Sequence, residues 1–251
     1  MPVFSSHSPH LVSFDLNTKG RDFVVGDVHG HFEMLDALMV EVQLQPSVDR
    51  VFCTGDLIDR GPCSEEVLNW LSRPWFHSVR GNHEQMVLDY MSGKGDAPRH
   101  ARNGGAWFYD LSEERQQQIA AALRTMPVAL QVQVSDNSTI GVIHAECPGW
   151  ENGLSWQDST RLLISSHHLQ QSTALVQAMY ARGKILRQDA TVICGARTVY
   201  VGHSTVPHVT RLGNVVYLDT GCSFSDGHLS AIEIANERLF SAYPATPIKG
   251  S

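Results

Sequence analysis

What this chain lacks narrows it first. No apolar run approaches the roughly 20 residues of a membrane-spanning helix, so no membrane partner is expected. Met1 to His10 lacks the basic and apolar stretches of a secretory leader, and a cytoplasmic location is the expectation. No Cys-x-x-Cys pair occurs. The five cysteines (Cys53, Cys63, Cys147, Cys194, Cys222) are odd in number, which favours free thiols serving as small buried hydrophobes in a reducing compartment. No basic run interleaved with aromatics offsets the net charge of -7, so nucleic acid is excluded as a main partner.

What is there reads as one α/β domain over residues 1–251, with a core of about 21–235 and a loose or edge-strand N-terminus. Hydrophobic content of 42% with 18% charge is enough for a single sizeable core. A strand, a polar turn and a helix recur three times. The runs Phe23 to Gly26, Val51 to Thr54 and His77 to Arg80 each lead through a polar turn into a helix-spaced stretch, which predicts βαβ units with their turns on one edge. Gly93 to Gly105 reads as a surface loop, and Glu113 to Arg124 as an amphipathic helix. Further on, Val128 to Val134 and Thr139 to His144 predict a hairpin. A Trp-containing rim or lid loop (Trp150, Trp156), a helix over Ala174 to Arg182 and three more strands follow.

Thirteen histidines are the unusual entry in the composition, and several end strand-like runs. Five segments put Asp, Asn or His directly after a short apolar strand: Gly26-Asp27-Val28-His29-Gly30, Gly55 to Gly61, Gly81-Asn82-His83-Glu84, Val142 to Ala145 and Val201-Gly202-His203-Ser204. Backbone there is rigid enough to hold metal ligands, and carboxylate, imidazole and amide donors together suit Mn, Fe or Zn better than Ca. Asp27 and His29 can reach one ion, Asn82, His144 and His203 a second, and Asp56 would bridge them. Two ions about 3.5 to 4 Å apart can share a hydroxide that attacks a phosphoester in line.

His83 is adjacent to a ligand and needs another role. It can protonate the leaving oxygen, with Asp59 accepting its hydrogen bond and favouring its charged form. Arg60 offers a guanidinium fork that matches phosphoryl oxygens. Glu84 is assigned to the helix start. No cysteine has an arginine six positions downstream, and neither an Asp-x-Asp pair nor a Gly-x-x-x-x-Gly-Lys loop occurs, so metal-activated water in a single displacement is the remaining route.

These motifs resemble the calcineurin-like metallophosphoesterases, in the phosphoprotein phosphatase branch with Gly-Asp-x-His-Gly, Gly-Asp-x-x-Asp-Arg-Gly and Gly-Asn-His-Glu. Pro74-Trp75-Phe76, Asn103-Gly104-Gly105 with Trp107, and Leu218-Asp219-Thr220-Gly221 are similar to the small bacterial and bacteriophage-lambda-type serine/threonine phosphatases. The resemblance implies a four-layer αββα sandwich with two central mixed sheets and flanking helices. It also implies Asp27, His29 and Asp56 at one Mn ion and Asp56, Asn82, His144 and His203 at the other, with Fe, Zn or Ni as alternatives. A second phosphate-binding arginine is implied on the helix between His144 and His203, where Arg182 in Tyr180-Ala181-Arg182 is the choice and Arg187 the alternative. Asn103 joins Asn82, Arg60 and Arg182 as expected substrate contacts.

The expected substrate is a phosphorylated protein or peptide, at serine or threonine, with phosphotyrosine and aryl phosphates as extensions; the expected assembly is a monomer or weak oligomer. The alternative is a dinucleoside polyphosphate hydrolase of the same superfamily, which typically lacks an aspartate equivalent to Asp59 and carries Gly-Asn-His-Asp. A silent binding module is a third reading, disfavoured by the full ligand set. Three departures stand out: His31 in place of cysteine, Glu146 in His-Ala-Glu, and Ser204 in Gly-His-Ser. None removes a ligand, and His31 is expected to cap or solvate the helix start, with a contact near the first metal as the alternative.

Overall fold

The computed structural model describes residues 10–244. The short apolar runs become strands β1 (Leu11–Phe14), β2 (Asp22–Val25), β3 (Arg50–Cys53), β4 (Phe76–Ser78), β5 (Ala129–Ser135), β6 (Ser138–Ile143), β7 (Thr198–Val201), β8 (Thr210–Leu212), β9 (Val215–Tyr217), β10 (Leu229–Glu233) and β11 (Arg238–Ala242). They build a six-stranded sheet in the order β1-β5-β6-β7-β9-β8 and a five-stranded sheet in the order β11-β10-β2-β3-β4. Both are mixed. Strands β2, β3 and β4 run parallel, with β10 antiparallel beside β2. Strands β6, β7 and β9 run parallel, between the β5–β6 hairpin and antiparallel β8.

Alternation along each strand sorts the side chains into layers. Val24, Phe52, Tyr200, Val216 and Ile232 fill the space between the sheets. Their chain neighbours point outward: Phe23, Val25 and Val51 pack with Phe32, Leu35 and Leu38 of the helix Phe32–Glu41. On the opposite face, Val199, Val201 and Tyr217 pack with Leu163, Leu175 and Met179 from the helices Trp156–Leu163 and His168–Tyr180. The result is helix, sheet, sheet, helix. Each fully buried large side chain contributes about 1.5–3 kcal/mol, and a one-residue slip would turn whole rows to the wrong face, so the register is fixed.

Parallel strands end at the same edge. β2, β3 and β4 therefore deliver Asp27, Asp56 and Asn82 side by side, and β6 and β7 deliver His144 and His203 from the other sheet. The sheets are tied there, since the His203 backbone N–H donates to Asp27 Oδ2 at 2.8 Å. Two glycines permit this approach: a Cβ on Gly202 would lie 1.8 Å from Asp27 Oδ1, and one on Gly81 would lie 2.1 Å from Asp56 Oδ1.

Several expectations are corrected. Gly93 to Gly105 is not a plain surface loop, because Ala97–His100, Ala101–Gly105 and Ala106–Tyr109 form a helical segment kinked at Gly104. Asp96 caps it by accepting the Arg99 N–H at 2.9 Å, and the glycine content that suggested a loop marks the kink. Trp150 and Trp156 form no lid. They are 4% and 0% exposed, because Trp156 Nε1 finds Gln131 Oε1 at 2.9 Å and Trp150 Nε1 finds Glu146 Oε2 at 3.0 Å, so both indoles pack inward. The sheets also extend past the expected core of 21–235, through edge strand β1, which pairs with β5, and through β11; residues 1–9 lie outside the described part. Cys53, Cys147 and Cys222 are buried, whereas Cys63 and Cys194, both in irregular segments, are exposed. His31 occupies the N-cap position without a side-chain cap bond and instead meets Glu33 Oε1 at 2.9 Å.

Candidate metal centre

The turns at this edge are strained. His29, Asp56, Asp59, Arg60 and His203 have φ between 46° and 73°, a left-handed conformation that costs non-glycine residues energy and is held only where the surroundings over-determine it. Among the described residues, ligand-capable side chains here form two groups whose donor atoms lie within 4.8 Å: His29, Asp56 and His83, and Asp56, His144 and His203. Asp56 belongs to both.

Three histidines share one arrangement. His29 Nδ1 lies 3.1 Å from the Ile58 carbonyl, His144 Nδ1 2.8 Å from the Thr54 carbonyl, and His203 Nε2 3.2 Å from the Tyr180 carbonyl. A carbonyl only accepts, so each ring donates from that nitrogen and leaves its other lone pair for the site, as metal-ligating histidines do. Burial holds His29 and His203 at about 3, so both imidazoles are neutral. His144 Nε2 faces Asn82 Oδ1 at 3.0 Å and Asp56 Oδ2 at 3.3 Å. Three lone-pair atoms thus converge; although burial lowers the pKa of His144, the Asp56 and Asp27 carboxylates push it up to about 10. A cation would satisfy the same convergence. The donor set therefore fits a divalent metal, and Asp56, whose pKa lies well below the usual range because His144 and His83 outweigh its burial, is ionised to receive it.

Asp27 stands outside both groups. Its Oδ1 accepts the Thr54 hydroxyl at 2.7 Å and its Oδ2 the His203 N–H. Burial first, and then the Asp219 carboxylate, push its pKa well up.

His83 is set apart by its partner rather than by distance, since its Nε2 is only 3.9 Å from Asp56 Oδ2. Its Nδ1 faces a carboxylate, Asp59 Oδ2, at 2.6 Å. Against its burial, Asp56 and then Asp59 raise its pKa. Arg60, exposed at the cleft mouth, donates to His29 Nε2 at 2.9 Å and to His83 Nε2 at 3.2 Å. The cleft is lined by His29, Asp56, Arg60, Asn82, His83, Asn103, Arg182, His203, Thr205 and Phe224.

The two candidate arginines are placed differently. Arg182 lies in this cleft and donates to the His203 carbonyl at 3.0 Å, just past the helix His168–Tyr180 rather than on it. Arg187 is tied to Glu151 and lies over the Trp150 ring. Asn103 is exposed, and its Nδ2 donates to the Arg99 carbonyl at 2.8 Å.

Sequence reasoning missed His100 and Trp107, which both donate to Asp59 from the segment taken for a loop. Trp107 was visible beside Asn103-Gly104-Gly105 but had no role of its own; His100 gave no signal. Missed too were the uses of Glu84 beyond the helix start. Fully buried, it accepts the backbone N–H of Gly81, Asp56 and Leu57.

A family model of calcineurin-like phosphoesterases matches residues 23–206. Serine/threonine-protein phosphatase 2 of Escherichia coli (strain K12) is 33% identical over 215 residues, covering 84% of this chain and 92% of that protein. The symmetrical bis(5'-nucleosyl)-tetraphosphatase of Klebsiella pneumoniae (strain 342) is 42% identical over 74 residues, 28% of this chain and 26% of that protein. A solved protein serine/threonine phosphatase from Saccharomyces cerevisiae superposes with a TM-score of 0.62 at 16% identity, over 95% of this chain and 85% of that one, a likeness of fold alone. Sequence match, sandwich and ligand cluster agree, and the chain belongs to the calcineurin-like phosphoesterases.

Proposed function

We propose that this chain is a metal-dependent phosphoprotein phosphatase acting on phosphoserine and phosphothreonine, with aryl phosphates as easier substrates. One observation carries the choice of substrate class: His83, which lines the cleft, has its Nδ1 2.6 Å from the buried Asp59 carboxylate. A serine or threonine alkoxide leaves poorly and needs a proton in the transition state, which a carboxylate-paired imidazole supplies. A nucleotide phosphate leaves without that help, so the same unit would be idle in a dinucleoside polyphosphate hydrolase.

Asp27, His29 and Asp56 would hold one divalent ion, and Asp56, Asn82, His144 and His203 the other, with manganese the expected metal. When bound, such a pair lowers the pKa of shared water to about 7 and stabilises charge on the phosphoryl group. The protein's own groups then divide the work. Arg60 exchanges its two imidazole contacts for phosphoryl oxygens, and Arg182, held on the His203 carbonyl, adds a second guanidinium to the cleft lining. Asn82 and Asn103 add polar contacts at its wall. His83 delivers its Nε2 proton to the leaving oxygen, and Asp59, accepting from Nδ1, favours the charged imidazolium that has this proton to give.

Manganese-loaded protein should turn over a phosphoserine or phosphothreonine peptide far better than diadenosine tetraphosphate under identical conditions. A preference for the nucleotide would overturn the assignment in favour of the polyphosphate hydrolase reading.

A further inference from the structure

Asp59 is fully buried and accepts from three side chains. His83 Nδ1 and His100 Nε2 both meet Oδ2, at 2.6 and 2.8 Å, while Trp107 Nε1 donates to Oδ1 at 2.8 Å. The Asp59 backbone N–H is fixed in turn on the Ser64 hydroxyl at 2.9 Å. Because the carboxylate is held at both oxygens, it cannot rotate without breaking at least one bond in a dry site, where an unmade hydrogen bond costs about 1–3 kcal/mol.

His100 is itself built in. It is 1% exposed, and its Nδ1 lies 2.9 Å from the Tyr109 hydroxyl. The ionised carboxylate only accepts, so His100 donates from Nε2 while its Nδ1 shares a hydrogen bond with the Tyr109 hydroxyl. Gly105 makes room for this ring: a Cβ there would lie 2.0 Å from His100 Nε2. The helical segment Ala97–Tyr109 therefore sends two donors to one carboxylate, and neither residue lines the cleft.

We propose that His100 and Trp107 are positioning residues of the leaving-group step, fixing the Asp59 carboxylate in the orientation that presents Oδ2 to His83. The inference rests on His83 acting as the proton donor. Without the two donors, Asp59 can turn or recruit water, and the His83 imidazole loses its set tautomer and aim. Substrate binding and the metal ligands stay intact, since neither residue reaches them.

The test compares His100→Leu, His100→Gln, Trp107→Phe and His83→Asn, each manganese-loaded, on a phosphoserine peptide and on p-nitrophenyl phosphate, with thermal unfolding recorded for every variant. His100→Leu should lose about 10- to 100-fold in kcat on the peptide but under about threefold on the aryl ester, with KM within about twofold on both. His100→Gln, whose amide N–H falls near the imidazole Nε2 position, should recover most of the loss. Trp107→Phe keeps the ring and removes one N–H, and should show the same split at smaller size.

Equal losses on both substrates, no loss, or a His100→Gln as impaired as His100→Leu would overturn the positioning role. If His100→Leu does not fold, Trp107→Phe decides alone by the presence or absence of the split. His83→Asn separates the two claims. Should it lose equally on both substrates, the acid reading itself falls and the proposal with it; should it show the split while His100 and Trp107 variants do not, only the positioning role is wrong.

Discussion

One oxygen of Glu84 accepts the backbone N–H of Asp56 at 3.0 Å and that of Gly81 at 2.7 Å, while the other accepts the N–H of Leu57 at 2.7 Å. The turn that carries Asp56 and the helix start that carries Asn82 and His83 are thereby a single unit. Through the Gly81 N–H the same carboxylate caps the start of the helix Asn82–Met91, the half of a capping box that a glycine N-cap permits.

Replacing Glu84 with Ala would strand those three N–H groups in the core, each costing about 1–3 kcal/mol when unmade. The expected destabilisation is about 3 kcal/mol or more by chemical denaturation, together with weaker metal binding. A change below about 1 kcal/mol would show that other acceptors replace the carboxylate.

Because Asp56 belongs to both ligand groups, Asp56→Asn should empty both metal positions, whereas His203→Asn should empty one. Metal content per chain, measured after manganese loading and desalting, checks this. One ion retained in Asp56→Asn would dissolve the bridging role. Chelator-stripped wild-type protein should hydrolyse p-nitrophenyl phosphate only after a divalent metal is restored.

The two arginines near the cleft should separate cleanly. Arg182→Ala is expected to lower kcat/KM about 10- to 100-fold, the loss of a charge-assisted phosphoryl contact worth about 1.5–3 kcal/mol. Arg187→Ala removes an exposed pair with Glu151 and should change kcat/KM less than about twofold. Reversed effects would reassign the phosphate contact.

Acid stability has one identifiable contributor far from the site. Burial raises the pKa of Asp49, but the Arg21 guanidinium and the Arg21 and Gln45 N–H groups outweigh it and hold the group below 3.8. A carboxylate depressed in the folded state contributes stability above its unfolded pKa and loses it as pH falls through the folded pKa. Asp49→Asn should therefore be less stable than wild type at neutral pH, with the gap closing below pH 3.8 in denaturation series. A gap constant across that range would exclude the ionised form as the source.

Much of the architecture was written locally. Short continuous apolar runs such as Phe23 to Val25 mark strands buried on both faces, and 3.6-period stretches such as Phe32, Leu35 and Leu38 mark the buried face of a helix, so strands, most helices and the sharing of one edge by Asp27, Asp56 and Asn82 follow from the sequence. The residue types after those strands likewise limited the chemistry to a metal-binding set with a neighbouring histidine. What local spacing did not show was which hydrogen bonds join the two sheets. His144 Nε2 meets Asp56 and Asn82, and Asp27 is engaged by Thr54 and His203, only because β6 and β7 pack against β2 and β3. His100 and Trp107 reach Asp59 from more than 40 positions away, in a segment whose glycines read as loop until the Gly104 kink and the open space at Gly105 made a helix of it. Local spacing encodes how a segment folds; hydrogen bonds between distant segments depend on packing, and there the tertiary structure decided that His29, His144 and His203 face carbonyls while His83 and His100 face the Asp59 carboxylate.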